Sequence, residues 1–337
     1  MQMKIFYILQ LIYLLQIQLI INANPIRATK SKNTQEIHCP QKKTDSDIIK
    51  LFPFFVESNP MLPKPSMTYG LMTNGKINSI EIINQKTCIP SIIFCLKNLE
   101  KLIINNSYFC DSTKQINGKM EYLPEQIIKF EKLKTLKISH VNLTFLPNII
   151  GNLISLTDLT ISNTNLEYLP ETMSFLKSLV EITLIDNTHL RSIKPTDGLP
   201  ALQILIARHC SIQDLPRNLP KLKDLFMSYN NLTSLSGIET LSNKENKKQN
   251  FEFNNNRITV IAPEIRHVHT LSRLHLDHNQ LQNLPTDMFD MKKLAHLYLR
   301  NNSFLLNETI MSRCFLKADF EIKMIFEECI ELYFINN

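Results

Sequence analysis

Between Ile77 and Phe304 one pattern, LxxLxLxxN(x)xLxx(L/I)P, recurs ten times, and no other property of this 337-residue chain constrains its fold as tightly. The units open at Ile77, Leu99, Leu133, Leu156, Leu179, Leu202, Leu222, Lys248, Leu271 and Leu294, and five of the nine steps between them are 23 residues. A fixed period in this range means a stack of similar coils. Each coil buries its apolar side only against the next, so stability is a chain of neighbour terms.

The unit from Leu156 to Leu179 shows why the pattern folds. Leu159 and Ile161 alternate with Asp158, Thr160 and Ser162, the period-2 signature of a strand with one buried and one wet face. The period then changes: Leu166, Leu169, Met173, Leu176 and Leu179 recur every three or four residues, so the returning limb is helical or 3₁₀-like and faces the same interior. The prediction is an α/β solenoid of about ten units, with a parallel concave β-sheet and helical or 3₁₀ convex limbs.

The ninth position of each unit wants a small polar side chain, because backbone amides buried at the strand end must be paired. Asn187, Asn230, Asn256, Asn279 and Asn302 fill it, and Cys210 stands in the same column as a buried structural thiol. Earlier units carry Gln85, Ser107, Val141 and Thr164, which predicts looser turns in the N-terminal half. The KENKK run at Lys244–Lys248 lies in a 26-residue step, with Lys248 in a first-Leu position, and reads as a solvated loop at a weak seam.

The ends report the compartment. Residues 1–23 combine an early Lys, an apolar stretch from Ile5 to Ile21 and Ala23, the form of a secretory signal; the alternative is an uncleaved N-terminal membrane anchor. Residues 24–76 form an N-terminal flank, 77–306 the repeats and 307–337 a C-terminal cap, with no stable membrane span after signal cleavage. Asn-x-Ser/Thr acceptors at Asn105, Asn142, Asn231, Asn301 and Asn307 would be glycosylated on the secretory route. Six of seven cysteines lie outside the central repeats, which fits disulfide-stapled caps in an oxidising compartment.

Four cysteines in the first group allow three pairings. Cys88 and Cys110 are each the twelfth residue of their unit, and equivalent positions on adjacent coils lie ~5 Å apart, so Cys88–Cys110 is favoured, with Cys39–Cys95. Cys314–Cys329 follows by elimination. No CxxC pair supports zinc.

The phrases LPEQIIKFEKLKTLKISHVNLTFLP and LPETMSFLKSLVEITLIDN resemble the 23-residue class of leucine-rich-repeat proteins, including the Ras-suppressor-like group, over about two thirds of the chain. That resemblance implies a leucine-rich-repeat horseshoe, and the Cys-bearing flanks are similar to extracellular leucine-rich-repeat caps. Members of the class are mostly intracellular scaffolds, whereas the signal and the cysteines point outside the cell. The ends report compartment more directly than repeat length does.

Function is expected on the concave sheet. Ile185, Ile204, Ile206 and Phe226 form one outward apolar patch, and adjoining exposed apolar residues mark partner surfaces. A second patch gathers Arg273, His275 and Asp277 beside His296, Tyr298 and Arg300, with Arg208 and Tyr229 nearer the centre and Asp277 facing Arg300. Tyr and Arg are frequent interface anchors. The histidines lack a metal-site pattern, and no nucleophile elbow, phosphate loop or HExxH is present, so neither catalytic residues, metal nor cofactor is expected. The net charge of +6 is scattered rather than gathered into a nucleic-acid footprint. The expectation is a secreted recognition module for a protein or glycan partner; the alternatives are an intracellular Ras-suppressor-like scaffold and a matrix or structural protein.

Overall fold

A computed structural model describes residues 37, 39–41, 43–61, 67–110 and 122–304, the Phe289 side chain excepted. The expected signal, residues 111–121, Cys314, Cys329, Asn307 and the cap at 307–337 lie outside the described residues. The chain divides into two compact units, Met1–His38 and Cys39–Asn337, and the architecture below belongs to the second.

Among the described residues, twelve strands form a single sheet whose spatial order is their order in the chain. They are β1 (Glu57–Ser58), β2 (Tyr69–Thr73), β3 (Lys76–Ile83), β4 (Lys101–Asn105), β5 (Thr135–Ser139), β6 (Asp158–Ser162), β7 (Glu181–Ile185), β8 (Ile204–Ile206), β9 (Asp224–Phe226), β10 (Gln249–Glu252), β11 (Leu271–His275) and β12 (His296–Tyr298). β2 and β3 are antiparallel; the others pair parallel, as in Leu136↔Leu159 between β5 and β6 and Leu159↔Ile182 between β6 and β7. This is the leucine-rich-repeat solenoid. The returning limbs are 3₁₀ turns such as Glu125–Lys129, Asn148–Asn152 and Glu171–Phe175, each preceded by the Pro of the repeat. Proline fixes φ and has no N–H to satisfy, and its carbonyl accepts the first bond of the turn, as from Ile150 N–H to Pro147 at 3.0 Å.

The leucine columns are the core. In the unit from Leu156, Leu159, Ile161, Leu166, Leu169, Met173, Leu176 and Leu179 are all at most 4% exposed, and each such side chain contributes about 1.5–3 kcal/mol by leaving water. At the buried Gly151 two coils pack so closely that an added Cβ would stand 2.3 Å from the Thr172 carbonyl oxygen.

The turns after the strands are not looser in the N-terminal half. The eighth residue of all ten units, from Asn84 and Asn106 through His140 to Asn301, takes a left-handed backbone with φ between 46° and 58°, a region in which Asn, Asp and His are enriched. The amide of that residue donates to the next coil even beside Val141, where His140 N–H reaches Ser162 at 3.1 Å. The turn is set by this backbone geometry, so the ninth side chain reinforces it without creating it. Where Asn occupies the ninth position it satisfies several groups at once: Asn230 Nδ2 donates to the carbonyls of Ala207, Met227 and Ser228, and its Oδ1 accepts from Ile212 N–H at 3.0 Å.

The expected first-position role of Lys248 is corrected. A register shift between Gln249 and Asn250 places Gln249, not Lys248, opposite Leu271, leaving Lys248 exposed and Gln249 fully buried. Gln249 Nε2 donates to the carbonyls of Leu222 and Leu241, and Oε1 accepts from Thr270 Oγ1 and Asn243 N–H. Asn243, also buried, donates to Leu222 and accepts from the amides of Glu245 and Lys247. The seam is therefore held by a saturated buried polar network.

The N-terminal end is closed by a short helix, α1 (Asp45–Ile49), capped by Thr44, and Asp45 accepts the amide of Ile77 at 2.7 Å. Disulfides Cys88–Cys110 and Cys39–Cys95, with Cα–Cα distances of 5.0 and 5.5 Å, staple this end as the column argument predicts. Phe94 stacks on Phe109 beneath them.

Candidate functional site

Register places the fifth position of every unit in one line across the outer face of the sheet: Thr183↔Ile206↔Phe226↔Glu252↔His275↔Tyr298 from β7 to β12. The parallel line of third positions runs Glu181↔Ile204↔Asp224↔Asn250↔Arg273↔His296. Ile206 and Phe226 are thus immediate neighbours, Ile204 lies two residues away on the same strand, and Ile185 ends β7. All four are partly exposed.

What links the two expected patches is Glu252, which neither included. The Arg208 guanidinium lies 4.8 Å above the Phe226 ring and its Nη2 reaches Glu252 Oε2 at 2.5 Å. A cation over an aromatic face and a charge-assisted bond to a carboxylate reinforce one another. Glu252 in turn adjoins His275, whose ring stacks on Tyr298 with centroids 3.9 Å apart. The two patches are one strip. Glu252 is the fifth residue of its unit, but nothing in the local sequence marks it as the bridge.

Electrostatics along the strip favour a neutral centre. Burial is the largest influence on His275 and pushes its pKa below the ordinary histidine value against the opposing pull of Glu252 and Asp277, with Arg273 and His296 adding to the fall. The neutral imidazole therefore stacks on Tyr298 at pH 7. Arg208 Nε and His296 Nδ1 are buried with no hydrogen-bond partner among the described residues. Asp277 meets Arg300 through the backbone, its Oδ1 accepting the Arg300 amide at 2.8 Å. Tyr229 lies off the strip: it is an eighth-position residue with φ 58° at the turn, 48% exposed and stacked on His209 at 4.2 Å.

Other residues singled out in the sequence are distributed elsewhere. Asn105 ends β4 and is half-buried, Asn142 accepts a side-chain bond from Asn165, and Asn301 is exposed with Nδ2 3.0 Å from His278 Nε2. A row of rings that the sequence reading missed, Tyr122, Phe145 and Tyr168, stacks along the turns with centroids 6.2 Å apart; the signal was an aromatic before LP in successive units.

Cys210 is the one free thiol among the described residues, and burial pushes its pKa up to about 12. Its Sγ lies 3.4 Å from the Leu184 carbonyl, in the ladder column. A thiol held protonated is a poor nucleophile, so native protein treated with iodoacetamide at pH 8 is expected to leave the Cys210 peptide unmodified, and urea-unfolded protein to modify it fully. Peptide mass mapping reads the difference; rapid native alkylation would place the thiol at the surface.

Among the described residues no three His, Cys, Asp or Glu side chains gather as a metal site, and no helix is long and apolar enough to cross a membrane. A family model described as leucine rich repeat matches residues 249–304. No curated protein matches the chain. Among solved structures, the chain is similar to TLR13 in its complex with ssRNA13 (23% identity, TM-score 0.52, covering 64% of this chain and 34% of that one). It is also similar to the leucine-rich-repeat ectodomain of the plant membrane receptor kinase GASSHO1/SCHENGEN3 from Arabidopsis thaliana, in complex with CASPARIAN STRIP INTEGRITY FACTOR 2 (22% identity, TM-score 0.50, covering 67% and 27%). An internalin, InlF, from Listeria monocytogenes aligns at 18% identity and TM-score 0.49 over 70% of this chain and 71% of that one. The chain spans about a third or less of the two receptor chains, and the likeness is one of fold.

Proposed function

We propose that this leucine-rich-repeat solenoid is an exported recognition module that binds a protein partner on the outer face of β7–β12. One observation carries the reading: the continuous strip Ile206–Phe226–Glu252–His275–Tyr298, apolar at one end and aromatic at the other. A partly exposed aromatic braced by an Arg–Glu pair has the composition of an interface hot spot. The unpartnered Arg208 Nε and His296 Nδ1 offer polar groups that a partner would satisfy. Two disulfides support export over an intracellular scaffold, because such bonds do not persist in reducing cytosol. The similar solved structures that are complexes with CASPARIAN STRIP INTEGRITY FACTOR 2 and with ssRNA13 are consistent with a ligand-binding use of this fold.

The test uses the full chain, secreted from eukaryotic cells as a tagged dimer and screened against arrayed extracellular domains. Phe226→Asp is expected to abolish a genuine hit, a loss of at least about 2 kcal/mol for a hot-spot residue, with thermal midpoint unchanged. Undiminished binding by Phe226→Asp would move the site off the sheet face. Protein retained in the cytosol with free Cys88 and Cys110 would favour the intracellular scaffold.

A further inference from the structure

All strands from β3 to β12 run parallel, so the residues just before each strand line one edge of the sheet. Before β9, β10, β11 and β12 these are residues 220–223, 243–248, 268–270 and 291–293, which together hold seven lysines and a single carboxylate, Glu245. Seven minus one is a local excess of six positive charges, with Asp224 and Asp290 immediately flanking these segments.

Geometry shows that the lysines converge. Lys221 Nζ pairs with Glu245 at 3.0 Å; its hydrogen bond and charge, together with Lys223 and Lys247, hold the Glu245 carboxyl below its ordinary range. Lys293, two coils further on, donates to Asn246 at 2.5 Å. The loop carrying Lys244, Lys247 and Lys248 is pinned by the buried Asn243, and Lys244 N–H is bonded to the Pro220 carbonyl at 2.8 Å. Towards the N-terminal end of the same edge a lysine is matched instead by a carboxylate of the preceding coil: Lys134 pairs with Glu100 at 2.8 Å.

We propose that this lysine edge beside β9–β12 binds a linear sulfated polysaccharide. From β9 to β12 is three strand spacings, about 14 Å, so neighbouring lysines lie within about one Debye length of ~8 Å and attract a polyanion jointly. Lysine supplies compact point charges on flexible stems, suited to sulfates in varied positions, whereas bidentate arginine forks specify one geometry. Surfaces for single-stranded nucleic acid interleave the charges with aromatic stacking platforms, and no Phe, Tyr or Trp occurs in the four edge segments. An anionic membrane surface would also call for inserted apolar side chains, and none of the exposed large hydrophobics lies in those segments. The edge is a different surface from the Phe226 strip, so it stands or falls separately.

Heparin is the probe, with the full secreted chain titrated over a range of NaCl. Wild-type protein is expected to bind at physiological salt with log Kd linear in log salt. K221Q/K247Q/K248Q/K293Q is expected to weaken binding at least tenfold and make the salt slope shallower by about three. K129Q/K194Q, on the returning limbs, and Phe226→Asp should leave it unchanged; matching thermal midpoints establish that the variants are folded. Absent wild-type binding, or equal binding by the quadruple variant, overturns the proposal. Tighter binding to a single-stranded oligonucleotide of equal charge, or to vesicles of phosphatidylcholine and phosphatidylserine, overturns the assignment of the ligand as a glycan.

Discussion

Gly151→Ala is expected to destabilise the solenoid by about 3 kcal/mol or more, at the upper end of overpacking effects. The added methyl would stand 2.3 Å from the Thr172 carbonyl oxygen, 2.8 Å from Thr172 Cβ and 2.9 Å from its carbonyl carbon. Two of those atoms are backbone, so no rotamer change relieves the contact and the 3₁₀ turns at Asn148–Asn152 and Glu171–Phe175 must separate. Separation costs the neighbour term that holds one coil on the next. Gly75 is the control: it has φ 71° and nothing within 4 Å of a Cβ, so Gly75→Ala should cost only about 1 kcal/mol of backbone strain. Urea midpoints of the two variants check this. Equal midpoints would mean that the coils do not meet at Gly151.

Removing the N-terminal staples should act as strongly by a different route. The Cys88–Cys110 bond closes a separation of 22 residues and Cys39–Cys95 one of 56; the loop-entropy estimate is about 3 kcal/mol for the first and about 4 kcal/mol for the second. Paired Cys→Ser replacement of either bridge is expected to lower the denaturation midpoint accordingly and to reduce secreted yield, with the larger loss for Cys39→Ser/Cys95→Ser. If reduction and paired replacement left the midpoint where it was, the bridges would have no part in capping the stack.

Much of this could be read in advance, because a 23-residue period fixes which residues are equivalent, and equivalence fixes register. The fifth-position line from Thr183 to Tyr298 and the Cys88–Cys110 pair both follow from that rule. Where the period breaks, the rule is silent: the bulge at Gln249 moves a polar residue into a leucine place, and sequence spacing assigned that place to Lys248. The left-handed eighth position was legible in principle, since Asn, Asp or His fills it in nine of ten units, with Tyr229 the exception. Attention to the ninth residue hid it. Contacts that depend on side-chain reach were not legible. Arg208 crosses Phe226 to reach Glu252, 44 residues away, and the Asp277 carboxylate accepts the Arg300 backbone amide. The lysine edge was missed for a related reason: its members are separated by coils of leucine in the sequence and become neighbours only in the stack.

The sheet in which strand order equals chain order has a consequence for how the protein comes into being. Each coil needs only the coil made just before it, so a nascent chain can fold vectorially, the α1 end first and every later coil templated on a finished surface. At each stage the growing stack presents one unpaired strand, and the next 23 or so residues to emerge are the ones that cover it.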